Sequence, residues 1–173
     1  MKWEAIAFLP VAAIVAPAQA TEYLSVAQAQ SVLFPGASLQ KLSAAVPNDV
    51  LETMLSRSGV HEPFNPSRIW KAAGGGFFIV DSVVGKHEKI NYAVAIDAGG
   101  AVRGIEILTY NESYGYEVRN ADWRAQFRGR TSASALQLGS DIQNVSGATL
   151  SCKHITQGVK RLLVLHQLVL SKL

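Results

Sequence analysis

Three runs decide the fold: FFIVDSVVG at 77–85, INYAVAID at 90–97 and AVRGIEILTY at 101–110. Each is dense in β-branched and aromatic residues, the types that suit a pleated, half-buried surface. The cluster Asp97-Ala98-Gly99-Gly100 separates the second run from the third and signals a hairpin. In the second run Ile90, Tyr92, Val94 and Ile96 share one face by alternation, and the small Ala93 and Ala95 stand on the other. The third run sets Val102, Gly104, Glu106 and Leu108 against Arg103, Ile105, Ile107 and Thr109. The pattern predicts an antiparallel meander over 77–84, 90–97 and 101–109 with at least one buried face. Gly74-Gly75-Gly76 precedes the first strand, whereas a phosphate-cradling loop follows a strand and opens a helix. It reads as a flexible lead-in to the sheet.

Downstream, Ile155, Val159, Leu162, Leu163, His166, Val169 and Leu170 recur at helical spacing, which predicts a long helix from about Ala148 to Leu170. Strands followed by a packed helix give an α+β fold: an antiparallel sheet of three or more strands covered by a C-terminal helix. Between the two lie a short helix from Asn120 through Phe127, stopped by Gly129, and a Ser-rich stretch at 131–145 that suits a last strand or an extended loop. Upstream, Ser25 is placed to cap a helix ending at Pro35-Gly36, and a second helix follows Pro47 and ends near Gly59. HEPFNPSR at 61–68 reads as a loop. Residues 21–72 therefore read as a short helical preface, because two short helices cannot bury a core of their own.

Residues 1–20, MKWEAIAFLPVAAIVAPAQA, have the layout of a secretory signal peptide: Lys2 at the start, a mostly apolar run from Ala5 to Ala16, and Ala18-Gln19-Ala20 before a cleavage point. Twelve residues rise only about 18 Å as a helix, short of a ~30 Å hydrocarbon core. The expectation is cleavage after Ala20 and residence in a bacterial periplasm. No cysteine follows the leader, which removes a lipoprotein anchor. The chain has 173 residues, 49% hydrophobic and 17% charged, enough for one domain with a real core. A net charge of +3 falls short of the basic face of a nucleic-acid binder. The single cysteine, Cys152, excludes an internal disulfide, a cysteine-cluster metal site and c-type haem attachment.

The chemistry concentrates just before the long helix, in Val145-Ser146-Gly147-Ala148-Thr149-Leu150-Ser151. Small residues run into a helix start that carries hydroxyls. Two readings stand on the residues alone. Free N–H groups and the dipole at a helix start favour an anion, above all a phosphate, and Gly147 and Ala148 permit close approach. Alternatively, Ser146 or Thr149 is simply an N-cap and the small residues form a turn.

Ser146-Gly147-Ala148-Thr149 resembles the S-G-A-T motif of the FMN-binding domain family, which includes periplasmic flavin subunits of sodium-pumping NADH:quinone reductases and of Rnf electron-transport complexes. Glu112-Ser113-Tyr114-Gly115 resembles that family's Glu-Thr-x-Gly loop. Trp123, Gln126, Phe127 and Gly129 resemble its aromatic-x-x-Gln-Phe-x-Gly segment. The resemblance covers about 73–170 and marks 73–173 as an FMN-binding domain. It implies that a flavin transferase moves FMN from FAD onto Thr149 through a phosphodiester. It also implies a cofactor site drawn from Ser146, Gly147, Ala148, Thr149, Leu150 and Ser151 and from Glu112, Ser113, Tyr114, Gly115 and Tyr116. Tyr114, Tyr116, Trp123 and Leu150 are candidates for a wall against the flavin ring. Three positions depart from the family: Gln143 stands where an acid is usual three residues before the Ser, and Tyr114 and Glu117 replace a Pro and a Gly of the upstream loop.

The function so implied is an electron relay between membrane-bound or periplasmic redox partners, with covalent FMN doing the chemistry. Two rivals are a flavin-dependent reductase of a small molecule and a non-flavin binding module. No acid/base pair, catalytic triad or metal-ligand spacing is evident, so no catalytic residue and no metal site is assigned. Cys152 reads as a small packed residue and His166 as a satisfied core histidine. Arg119, Arg124, Arg128 and Arg130 read as a solvated basic face.

Overall fold

The computed structural model describes residues 22–173. The expected signal peptide, 1–20, and its cleavage point before Thr21 lie outside the described residues. Helix α1 (Val26–Leu33) opens as its sequence demands: Ser25 Oγ accepts from the Gln28 amide while the Gln28 side chain accepts from the Ser25 amide. Helix α2 (Asn48–Ser58) follows Pro47, whose φ of −62° is fixed by its ring. It stops at Gly59, which adopts the left-handed conformation with φ 73°.

The three long runs form strands β3 (Phe77–Val84), β4 (Lys89–Ile96) and β5 (Val102–Thr109), all antiparallel. The hairpin at 97–101 closes because Asp97 Oδ1 accepts from the amides of both Gly99 and Ala101 at 2.9 Å. The segment expected as a helical preface holds the two expected helices and also two strands, β1 (Leu39–Leu42) and β2 (Ile69–Ala72). These extend the sheet to five strands in the order β1-β2-β3-β4-β5. Each is four residues long, too short to display an alternation of its own, so pairing rather than local pattern makes them strands.

Both faces of the sheet are covered. Ile79, Val83, Ile90, Tyr92, Val94 and Ile96 face α2 and the long helix α4 (Thr149–Leu168), and Ile155, Val159, Leu162 and Leu163 of α4 are at most 1% exposed. On the opposite face Phe78, Val80, Ala93 and Ala95 pack with Ala29, Leu33 and Phe34 from α1. The alanines are small because α1 lies close: a Cβ on Gly104 would sit 2.9 Å from Leu33 Cδ2. Among the described residues, no helix is long and apolar enough to cross a membrane. After a 3-10 turn (Tyr116–Arg119), helix α3 (Ala121–Ala125) occupies the expected place. Asn120 precedes it without a side-chain capping bond. Residues 131–148 form turns with a single parallel bridge, Leu138 to Ile142, so the extended-loop alternative describes them better than a last strand.

Inside the sheet–helix interface lies a polar network that the residue pattern did not reveal. Arg161 of α4 donates through Nε and Nη2 to Asp81 Oδ2 at 3.0 and 2.6 Å, and Tyr92 Oη donates to the same oxygen at 2.8 Å. Asp81 is 4% exposed, Arg161 2% and Tyr92 0%. Burial, then the Asp81 charge, pushes the Tyr92 hydroxyl well above its ordinary range, so it remains a donor. Gly158 makes room for that hydroxyl, since a Cβ there would overlap Tyr92 Oη and lie 2.8 Å from Cζ.

β2 pairs only with Phe77–Ile79, and beyond that point side chains close the flank of β3. Arg161 Nη2 donates to the Ser82 carbonyl at 3.2 Å, the Val84 amide donates to Glu62 Oε1 at 2.8 Å, and His154 Nδ1 donates to the Val84 carbonyl at 2.6 Å. The outer flank of β5 is covered as well. Val102 exchanges bonds with the backbone of Gly129 and Arg130, Arg124 donates to the Ile105 carbonyl, and the Tyr23 amide donates to the Leu108 carbonyl.

Candidate functional site

The start of α4, the loop after β5 and the turn between β3 and β4 converge at one end of the sheet. They enclose a cavity of about 370 Å³, within the range of small-molecule sites. It is lined by Glu112, Ser113 and Tyr114 from the loop, by Gly147, Ala148, Thr149, Leu150 and Ser151 from the helix start, and by Lys86 and His87 from the turn. Of the residues singled out in the sequence, Ser146, Gly115 and Tyr116 do not line it. Lys86 and His87 went unread because nothing in GKHEK at 85–89 marks a tight turn as a cavity wall.

The helix start is open. Ala148 is the capping position, and no side chain bonds to the first turn from there. Thus neither Ser146 nor Thr149 is the N-cap, and the first amides of the helix have no intrahelical partner. Gly147 turns the chain with φ 80°, and a Cβ added there would meet nothing within 4 Å. Thr149 is exposed, and its Oγ1 accepts from Asn144 Nδ2 at 3.0 Å.

Tyr110 ties the loop to the helix. Its hydroxyl donates to the Tyr114 carbonyl at 2.6 Å, and that uses its one hydrogen. The 3.1 Å contact with Ser151 Oγ is therefore donated by the serine. Burial pushes the Tyr110 hydroxyl up, and the Ser151 bond only partly offsets it. Gly115, with φ 88°, lets the loop press against Ala148, since a Cβ there would overlap the Ala148 Cβ and lie 2.7 Å from Tyr110 Oη. Tyr114 and Tyr116 are 77% and 51% exposed, and Tyr116 stands edge-on to Tyr110.

Glu112 is 8% exposed and acts inside the wall. Its Oε1 accepts from the amides of His87 and Glu88 at 2.6 and 2.9 Å, which pins the β3–β4 turn to the loop after β5. Burial pushes its carboxyl up, but the amide bonds from Glu88, His87 and Lys86 together outweigh that and hold it below its ordinary value. Gly85 belongs to the same contact: a Cβ there would lie 2.5 Å from Glu112 Oε1.

Several other residues are placed away from the cavity. Trp123 is 5% exposed, stacks edge-on to Phe127 and donates through Nε1 to the Gln143 carbonyl at 2.8 Å, so it is a core anchor rather than a cavity wall. Cys152 is fully buried, and burial pushes its thiol up, which keeps it neutral. Of the four arginines expected as a solvated basic face, Arg128 is exposed, and the other three are engaged. Arg124 pairs with Glu106, Arg130 donates to the Gln126 and Asp141 carbonyls, and Arg119 lies over the Tyr23 ring. His166 is buried as expected but is not satisfied, because its Nε2 has no hydrogen-bond partner.

The described residues thus form an α+β unit with a cavity at the uncapped start of α4. Residues 85–164 match the model of the FMN-binding domain. Among curated proteins, the chain is 28% identical over 128 residues to a subunit of the proton-translocating ferredoxin:NAD(+) oxidoreductase complex of Clostridium ljungdahlii, covering 66% of this chain and 69% of the relative. It is 24% identical over 137 residues to the corresponding subunit of the Na(+)-translocating ferredoxin:NAD(+) oxidoreductase complex of Acetobacterium woodii, covering 71% of this chain and 66% of the relative. The residues present suit FMN. The open backbone at Gly147, the uncapped amides of α4 and the nearby Lys86 suit a phosphate, and Tyr114 and Leu150 offer exposed apolar surface beside it.

Proposed function

We propose that this chain is an exported electron carrier that holds FMN by a phosphodiester to Thr149. One observation carries the reading: an exposed hydroxyl on the first residue of α4, at the rim of a cavity within the stretch that matches the FMN-binding domain. When bound, FMN supplies the electron-transfer chemistry. The amides of the first turn of α4 and the Lys86 ammonium balance the phosphodiester charge. Tyr114 and Leu150, which line the cavity, would flank the ring, and Glu112 with Tyr110 holds the walls at fixed separation. The two relatives are named as subunits of redox complexes, which supports a donor and an acceptor that are membrane-bound or periplasmic. A flavin transferase supplies the cofactor. The signal-peptide pattern in residues 1–20 supports a periplasmic location.

The test is intact mass and in-gel flavin fluorescence after denaturation, for protein exported from a host that expresses a flavin transferase. The unmutated protein is expected to carry one covalent FMN and to begin at Thr21. Thr149→Ala removes the flavin and keeps the fold. Ser151→Ala keeps the flavin, because Ser151 is 3% exposed and engaged with Tyr110. Absence of covalent flavin from the unmutated protein refutes the linkage, and a start at Met1 refutes export.

A further inference from the structure

The geometry points to Asn144 as the residue that positions the Thr149 hydroxyl for phosphoryl transfer. This inference rests on the proposed covalent linkage and names what makes Thr149 ready to form it. Thr149 is the first residue of α4, so it lacks the helical carbonyl one turn earlier to which a threonine inside a helix commonly turns its hydroxyl. Thr149 instead has Oγ1 accepting from Asn144 Nδ2 at 3.0 Å. An amide nitrogen only donates, so the bond leaves the hydroxyl hydrogen uncommitted to Asn144 and fixes the direction of the oxygen. Thr149 branches at Cβ and has few χ1 states, so one bond to Oγ1 is enough to select among them.

The loop that carries Asn144 is itself held. Both backbone groups of Gln143 are engaged by α3 and its C-terminal end: its amide donates to Gln126 Oε1 at 2.7 Å, and its carbonyl accepts from Trp123 Nε1 at 2.8 Å. Gln126 Nε2 donates in turn to the Trp123 carbonyl at 3.2 Å, and Trp123 is packed on Phe127, which is fully buried. From this anchor the chain makes a tight turn, closed by the Ala148 amide on the Val145 carbonyl and by the positive φ of Gly147. That turn returns Thr149 to Asn144. The aromatic-x-x-Gln segment thus acts on the acceptor from a distance, through Gln143 and Asn144. Position 143 carries an uncharged residue, and what it contributes here is its backbone.

In the transfer, the Thr149 Oγ1–P bond forms at the FMN phosphorus of FAD, and the pyrophosphate P–O bond breaks. AMP leaves, and the hydroxyl proton goes to the transferase or to water. No oxidation or reduction occurs. Asn144 touches the attacking oxygen and fixes its orientation, which is a contribution to the bound-state rate rather than to encounter.

The experiment uses the full chain purified without flavin, with FAD and a flavin transferase, followed by intact mass over time at several carrier concentrations. Asn144→Ala is expected to lower the rate at saturating carrier about three- to tenfold, the effect of one hydrogen bond, with KM for the carrier unchanged. Asn144→Asp, of the same shape but without the donor, stays slow. Gln126→Leu is slow, and Gln126→Glu, which keeps an acceptor for the Gln143 amide, recovers the rate. The Asn144 variants keep the unmutated melting temperature, since the bond lies at the surface. If the unmutated protein never gains the FMN mass, the covalent linkage itself fails. If it gains the mass but Asn144→Ala reacts at the same rate, or changes only KM, or if Asn144→Asp restores the rate, the linkage stands and the positioning role of Asn144 is overturned.

Discussion

Gly158→Ala sets two effects of opposite sign against each other. Replacing a mid-helix glycine with alanine favours the helix by about 1 kcal/mol. In this structure, the added methyl overlaps Tyr92 Oη and lies 2.8 Å from Cζ and 3.2 Å from Val83 Cγ1. Tyr92 cannot yield easily, because it is fully buried in β4 and its hydroxyl is bonded to Asp81. Overpacking of this kind costs about 1–3 kcal/mol. Pulling the phenol off an ionised carboxylate costs about 1.5–3 kcal/mol more. Less the propensity gain, Gly158→Ala should destabilise by about 1.5–5 kcal/mol, read from urea unfolding at constant m-value. The same change in a Tyr92→Phe background should cost less by at least about 1 kcal/mol, because the overlapping oxygen is gone. A Gly158→Ala protein as stable as the unmutated one, or more so, would refute the packing of Tyr92 under α4.

Leu162→Ala and Leu163→Ala should each cost about 2–5 kcal/mol in the same assay, as both side chains are buried between α4 and the sheet; losses below about half a kcal/mol at both would contradict the packing. Glu112→Ala leaves the amides of His87 and Glu88 without their acceptor and should cost about 1–3 kcal/mol. Because the folded carboxyl lies below its ordinary value of 4.5, its contribution is complete above that pH and is lost as pH falls through the folded value. Chemical denaturation as a function of pH should therefore show a shallower acid loss in Glu112→Ala than in the unmutated protein. His166 is a base whose folded pKa is lowered, by burial against a smaller opposing effect of Asp97. The unfolded chain takes the proton first, so stability should fall as pH drops below 6.5 towards the folded value, and His166→Leu should flatten that slope.

The long strands were legible because eight-residue runs rich in β-branched and other apolar side chains, bounded by turn residues, leave little else to form. The face assignment in β4 was legible too, down to the alanines that admit α1. β1 and β2 were not, because LQKL and IWKA hold too few residues for a period to emerge. At the site, the helix start and the loop at 112–115 could be read from their residue types. Lys86 and His87 could not, since their place in the wall comes from Glu112 binding the turn backbone. Trp123 is ambiguous for the same reason: only its bond to Gln143, twenty residues on, separates an anchor from a wall. The Asp81–Arg161 pair joins residues eighty apart and leaves no local trace.

The side chains that close β3 and the segments that close β5 govern how other chains can engage this protein. A peptide that docks by extending a sheet needs a row of vacant amides and carbonyls. At Ser82 and Val84 those groups are already taken by Arg161, Glu62 and His154, and along β5 by Arg124, Tyr23 and the 129–130 backbone. The far flank, β1, offers only four residues and carries Lys41, a feature that discourages such growth. The flanks near the cavity therefore resist both fibril-like stacking and ladder-style docking, so a protein seeking the cavity must read its rim by side-chain chemistry. Contacts of that kind form and release without remodelling either backbone, which suits repeated brief encounters.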